Sequence, residues 1–268
     1  MPEVARHHII LHSQRTGCKI PPYMKKNSML RVALILIFLS IYNAALAADD
    51  APKTEPPPNK LTVAYYDFSS GKNGFDINLR HTFKTSTAWI GGYRESTGFD
   101  QARVGYEYDY HHEWLTVVPS ALAATRGFVG ASLYAEMGGR WFGIGGMGVT
   151  NLRPYWNLSF DPNDYIQVGV GYRSRAGNAL LVYAIHDDRL GSGQTNTHVL
   201  LRRYLPNEWR LTLDLANEHG HGDDGLVVHD WATSVDVDWR RWFARVAHDP
   251  HVNYTPDHQW RVAAGLRF

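Results

Sequence analysis

One cysteine, Cys18, stands in the whole chain. It precedes the region read below as mature protein, so neither a disulfide framework nor a thiolate metal site is available. An excess of charge of one sign is also missing. The 27 Lys and Arg against 26 Asp and Glu leave a formal charge of +1, which gives no electrostatic footprint for nucleic acid. Long apolar runs are lacking too. The run Val32–Leu39 falls far short of the roughly 20 residues that carry a helix across a bilayer. A mean hydropathy of −0.34 argues the same way. Beyond residue 60 there is no helical periodicity of useful length. HExxH and comparable metal or nucleophile signatures are absent, so no metal or cofactor is expected.

What the chain does have begins with an address. Met24-Lys25-Lys26, the apolar run and Ala45-Leu46-Ala47 form a basic segment, a short hydrophobic segment and a small-x-small cleavage site, the order of a secretory signal. The expected division is an upstream extension over 1–23, ahead of a true start, and a signal over 24–47. A periplasmic linker carrying Pro56-Pro57-Pro58 follows over 48–60. The folded region then spans 61–268.

Glycine (24), tyrosine (15) and tryptophan (9) are abundant, and from Leu61 onward apolar residues alternate. Trp260, Val262, Ala264, Leu266 and Phe268 oppose Arg261, Ala263, Gly265 and Arg267. Trp209, Leu211, Leu213 and Leu215 oppose Arg210, Thr212 and Asp214. Val104, Tyr106 and Tyr108 oppose Arg103, Glu107 and Asp109. Successive strand side chains point to opposite faces, so each run is an amphipathic strand. A soluble sandwich would alternate as well. Aromatic residues at both ends of an apolar face favour a membrane instead. Trp231 and Trp239 lie on one face about 26 Å apart along a strand, close to the span of an apolar band about 25 Å tall between aromatic girdles.

The terminal run Gln259–Phe268 alternates and ends in phenylalanine. In this it resembles the last strand of the bacterial outer-membrane β-barrel proteins. The likeness extends in pattern over 61–268 and reaches the class, not an activity. It implies an all-β fold, a closed antiparallel transmembrane barrel. It further implies residence in the outer membrane as a monomer among outer-membrane lipids, and Phe268 as the signal read by the assembly machinery.

Turn signals divide the region into fifteen runs, one of them 153–160. The glycine-rich stretch Gly143–Gly148 marks its divisions least clearly. Single-chain bacterial barrels have an even strand number, so about fourteen strands are expected, within 12–16. With the last strand running to the periplasm, Trp239-Arg240-Arg241 and Pro206-Asn207-Glu208 become short periplasmic turns. The segments Asp187–Thr197, His219–Leu226 and His248–His258 then face outside.

Three functional readings follow, besides a purely structural envelope role. The polar faces place Arg80, Arg103, Glu107, Asp109, Arg173, Arg210, Asp214, Asp236, Asp238, Arg261 and Arg267 in the lumen. There, mixed charges either pair into a lattice or line a narrow passive channel. Fourteen strands leave more interior room than eight. Alternatively, the outer segments carry an outer-leaflet lipid acyl-hydrolase. Ser192 would be its nucleophile, with His219, His221 or His248 as base and Asp223 or Asp249 to orient the base. The same imidazoles and carboxylates could serve a surface binding or metal-binding module, although ordinary loop polarity explains most of this pattern. Asp161-Pro162-Asn163-Asp164 reads as a turn between strands rather than a calcium loop.

Overall fold

A computed structural model describes residues 57–157, 159–187, 192–222 and 224–268. The extension, the signal and residues 48–56 of the linker lie outside the described residues, as does Asp223.

Fourteen antiparallel strands close a barrel. They are β1 (Asn59–Phe68), β2 (Asn73–Thr82), β3 (Ser86–Glu95), β4 (Asp100–Tyr108 and Tyr110–His112), β5 (Leu115–Ala124), β6 (Phe128–Gly138) and β7 (Trp141–Thr150). The second half comprises β8 (Tyr165–Arg173), β9 (Ala179–Asp187), β10 (Gln194–Leu205), β11 (Trp209–His221), β12 (Val227–Trp239), β13 (Trp242–Asp249) and β14 (Gln259–Arg267). Both pieces of β4 pair with β5, so the break at Asp109 interrupts one strand rather than adding another. Each strand pairs with its chain neighbours, and β1 pairs with β14 along its length, with Lys60 opposite Arg267 and Phe68 opposite Gln259. Asn59 and Phe268 exchange two backbone bonds of 3.0 Å at the seam. Closure removes both sheet edges, which is what lets a sheet stand in lipid.

The expected count of fourteen holds, but the run 153–160 is not a strand. It is part of a long connection between β7 and β8, of which residues 151–157 and 159–164 are described. That correction leaves fourteen of the fifteen runs. At the end of the barrel bearing the termini, the connections are short. Trp239 and Trp242 are joined by Arg240 (φ 53°) and Arg241, and Leu205 and Trp209 by the three residues Pro206, Asn207 and Glu208, the last two at positive φ (59° and 64°). The three longest connections, 151–164, 188–193 and 250–258, all lie at the opposite end.

The faces are inverted relative to a soluble protein. Val104, Ile166, Val168, Val170, Val182 and Val262 point outward and are solvent-exposed, forming an apolar belt. Trp141 and Tyr172 (ring centres 4.9 Å apart) and Trp209 and Trp239 (5.7 Å) rim it at the terminal end, while Trp231 and Trp260 stand towards the other end. Inside, large rings cover glycines on the next strand. Trp89 lies over Gly105 and Phe142 over Gly171, so a Cβ at either glycine would enter the ring. Pairs of this kind let bulky side chains lie flat against the wall.

Candidate functional site: a loop-filled, charged lumen

Strand register puts ten of the eleven charges named above on inward positions, and Asp109 falls at the break in β4, outside the register. Most meet a partner of opposite sign on a neighbouring or next-but-one strand. Arg103 bonds Asp76 at 2.6 Å and Arg80 bonds Glu107 at 3.1 Å, while Arg173 holds both oxygens of Glu136. Asp238 receives Arg210 at 2.9 Å and Arg267 at 2.5 Å, and Arg245 bonds Asp236 at 2.5 Å. The pairs Arg103–Asp76 and Arg267–Asp238 are largely buried, so their attraction must offset the desolvation of both groups, and removing one partner would leave the other charge unpaired.

The connection after β7 turns into the lumen instead of standing above it. At its start Thr150 donates both its amide and its hydroxyl to the Asp164 carboxylate. Tyr155 stacks on Phe128 with ring centres 4.1 Å apart. Trp156 lies parallel to Tyr93 and edge-on to Phe68, and its backbone exchanges two bonds with the Gln101 amide. The chain then crosses to the opposite wall. There the backbone carbonyl of Phe160 accepts from Asn196, and Asp161 accepts from His198 at 2.8 Å. The other ring nitrogen of His198 meets Asp214 at 3.0 Å, and Tyr183 stacks flat on the imidazole at 4.6 Å. Both of its partners are carboxylate oxygens, which only accept, so the ring donates from both nitrogens.

Beneath this crossing is a cavity of about 300 Å³. Lys60, Arg202, Arg210, Arg245, Arg261 and Arg267 face it, against Asp161, Asp214, Asp236 and Asp238. Among the described residues no carboxylate lies within ion-pair distance of Lys60 or Arg202, and the Arg202 Nε is buried without a hydrogen-bond partner. The chamber therefore presents two cations beyond its internal pairs. On the other side of the crossing, a second space of about 270 Å³ is lined by Trp89, Leu122, Phe128 and Tyr165 among others.

The opposite end gathers acids on its inward face. Glu218 stands across from Asn196 on one side and Asp230 on the other. It is 1% exposed, and its Oε2 has no hydrogen-bond partner. Above it the connection 250–258 folds over. Tyr254 donates its hydroxyl to Asn196, and burial raises that hydroxyl above the ordinary phenol range, so it remains a donor.

The outer segments do not converge. The Ser192 hydroxyl donates to the Asp187 carbonyl at 3.2 Å. The His221 ring faces the Ser192 carbonyl at 3.3 Å and not its hydroxyl. His219 points outward, its ring 5.7 Å from that of His229 on β12. His248, two strands from His219, also points outward, beside Trp260 and His258. Asp249 points inward, where an oxygen accepts from the His251 amide. Among the described residues no three metal-ligating side chains meet.

Several lumen residues escaped the sequence reading. Lys60 precedes the boundary drawn at Leu61, and Asp161 sat in what looked like a simple turn. His198 and Arg202 share a face with Asn196 and Leu200 by period-2 spacing, which could have singled them out.

No protein-family model and no curated protein sequence matches the chain. Solved structures do. The outer membrane protein Omp33 of Acinetobacter baumannii superposes with a TM-score of 0.53, at 8% identity, over 81% of this chain and 100% of that one. The fold is that of the bacterial outer-membrane β-barrels. The KdgM porin (TM-score 0.43, 9% identity, 78% of this chain and 99% of that one) and the NanC porin (0.44, 9%, 78% and 100%) are more distant matches.

Proposed function

We propose that this barrel is a narrow outer-membrane channel for small solutes, with a preference for anions set in its inner chamber. The carrying observation is that chamber of about 300 Å³, in which Lys60 and Arg202 remain uncompensated beneath the crossing segment. A water-filled lumen selects by the charges that line it. In this reading the apolar belt lies in the outer membrane, the termini face the periplasm and the longer connections face outside. Phe268, half-exposed at the seam, serves as the assembly signal.

Planar-bilayer recording tests the reading. Under a potassium chloride gradient the open-channel reversal potential is expected on the chloride side, and Lys60→Glu combined with Arg202→Glu should move it towards potassium. A barrel that passes no current over a wide range of salt, or whose reversal potential ignores both substitutions, would refute it.

A further inference from the structure

Two connections enter the lumen from different parts of the chain: the segment after β7 and the segment between β13 and β14. They meet at one side chain. Asn196 on β10 is fully buried, at 0% exposure. Its Nδ2 donates to the Phe160 carbonyl at 2.5 Å and to Asp161 Oδ1 at 3.3 Å. Its Oδ1 accepts the Tyr254 hydroxyl. One carboxamide thus spends its donor end on the first segment and its acceptor end on the second. Carbonyl and NH2 are fixed in one plane, so a rotation that releases either segment misplaces the other's partner.

From this arrangement we infer that Asn196 couples the two segments, so that they leave or block the lumen together as one gate. Water cannot readily take over for either segment alone, because the amide is buried, and a buried donor or acceptor left unpaired is disfavoured. Each segment is also anchored outside this contact, which gives it a defined position to return to. The first is held by Asp161 on His198 and by Trp156 on Tyr93. The second is held by Asp257, which receives Ser70 at 2.9 Å and Lys72 at 3.4 Å. A third connection follows the second, since the Tyr254 carbonyl lies so close to Gly222 that a Cβ there would strike it. Within the second segment, Asn253 and Tyr254 both hold positive φ, 51° and 57°. Non-glycine residues adopt that conformation at a cost, so the closed position is one that tertiary contacts must impose.

This inference rests on the channel reading for its consequence, a gated current, but not for the coupling itself. Tyr254→Phe separates the two. It removes one hydroxyl from the second segment, and among the described residues no hydrogen bond joins Tyr254 to the first segment. Hydrogen exchange of the refolded protein in detergent micelles is followed in peptides covering 159–164 and 250–258, with heat-modifiable gel mobility as the check on folding. Amides in both segments should exchange about tenfold faster, within the range typical of coupled sites. Asn196→Ala should accelerate both further. Acceleration confined to 250–258 in Tyr254→Phe would overturn the coupling. The same variants are recorded in planar bilayers. Coupled exchange without any current would keep the coupling and sink the channel. Current with uncoupled exchange would do the reverse.

Discussion

Glu218 shows what the lumen asks of a single side chain. Its carboxylate is almost wholly buried, one oxygen lacks a partner, and Asp249, Asp161 and Asp230 all act on it unfavourably. Like charges directly opposite on a sheet face are destabilising, and Asp230 is its register partner. Glutamine keeps the shape and replaces an unpaired acceptor with a donor that the neighbouring carboxylates can receive. Glu218→Gln should therefore stabilise the barrel by about 1–3 kcal/mol, read as a higher urea midpoint in lipid vesicles. A lower midpoint would mean that the carboxylate is bound by something essential. Alternation in the sequence could place this residue on the polar side, opposite His219, but not show that its neighbours there are acids. Those neighbours come from β12, β13 and the segment after β7, which the chain brings together only on closing.

At the scale of elements, the strands and the short turns were legible and the longest connection was not. Period-2 patterning survives in most strands because each face meets one environment, lipid outside or polar lumen inside; it blurs in β7 and β9, where Phe142, Ile144 and Ile185 are apolar on the inward face. The run 153–160 deceived for a physical reason. Tyr155, Trp156 and Phe160 are apolar because they pack against Phe128, Tyr93 and Arg261 within the barrel, so a lumen-filling segment acquires the composition of a strand. The terminal-end turns were placed correctly, since each is a short break between two clearly alternating strands. The crossing segment makes a prediction of its own. Trp156→Ala with Asp161→Asn removes the aromatic anchor on one wall and weakens the ionic one on the other, without touching a strand. Single-channel conductance should rise by at least twofold while the folded fraction stays high. An unchanged conductance would show that the crossing does not limit the path.

For the whole molecule, the decisive property is which face is wet. A soluble sandwich and this barrel share alternation, and only the assignment of inside and outside separates them. Val168 and Gln167 are neighbours near the middle of β8. The first is outward and 66% exposed, and the second is inward beside Gly146. If the outward face meets hydrocarbon, Val168→Arg places a guanidinium near mid-bilayer, at a cost of about 2–4 kcal/mol. Gln167→Arg adds the same group to a lumen already lined with arginines, where water and Glu136 on the same wall can receive it. Equilibrium unfolding in urea from phospholipid vesicles should show the first substitution lowering stability by that amount, and the second leaving it within about 1 kcal/mol of wild type. In a soluble sandwich the order would reverse, because the exposed valine would accept a charge freely and the inner glutamine would not. The two variants differ by one position and by one face, so their ranking reports the environment of the wall rather than any property of arginine.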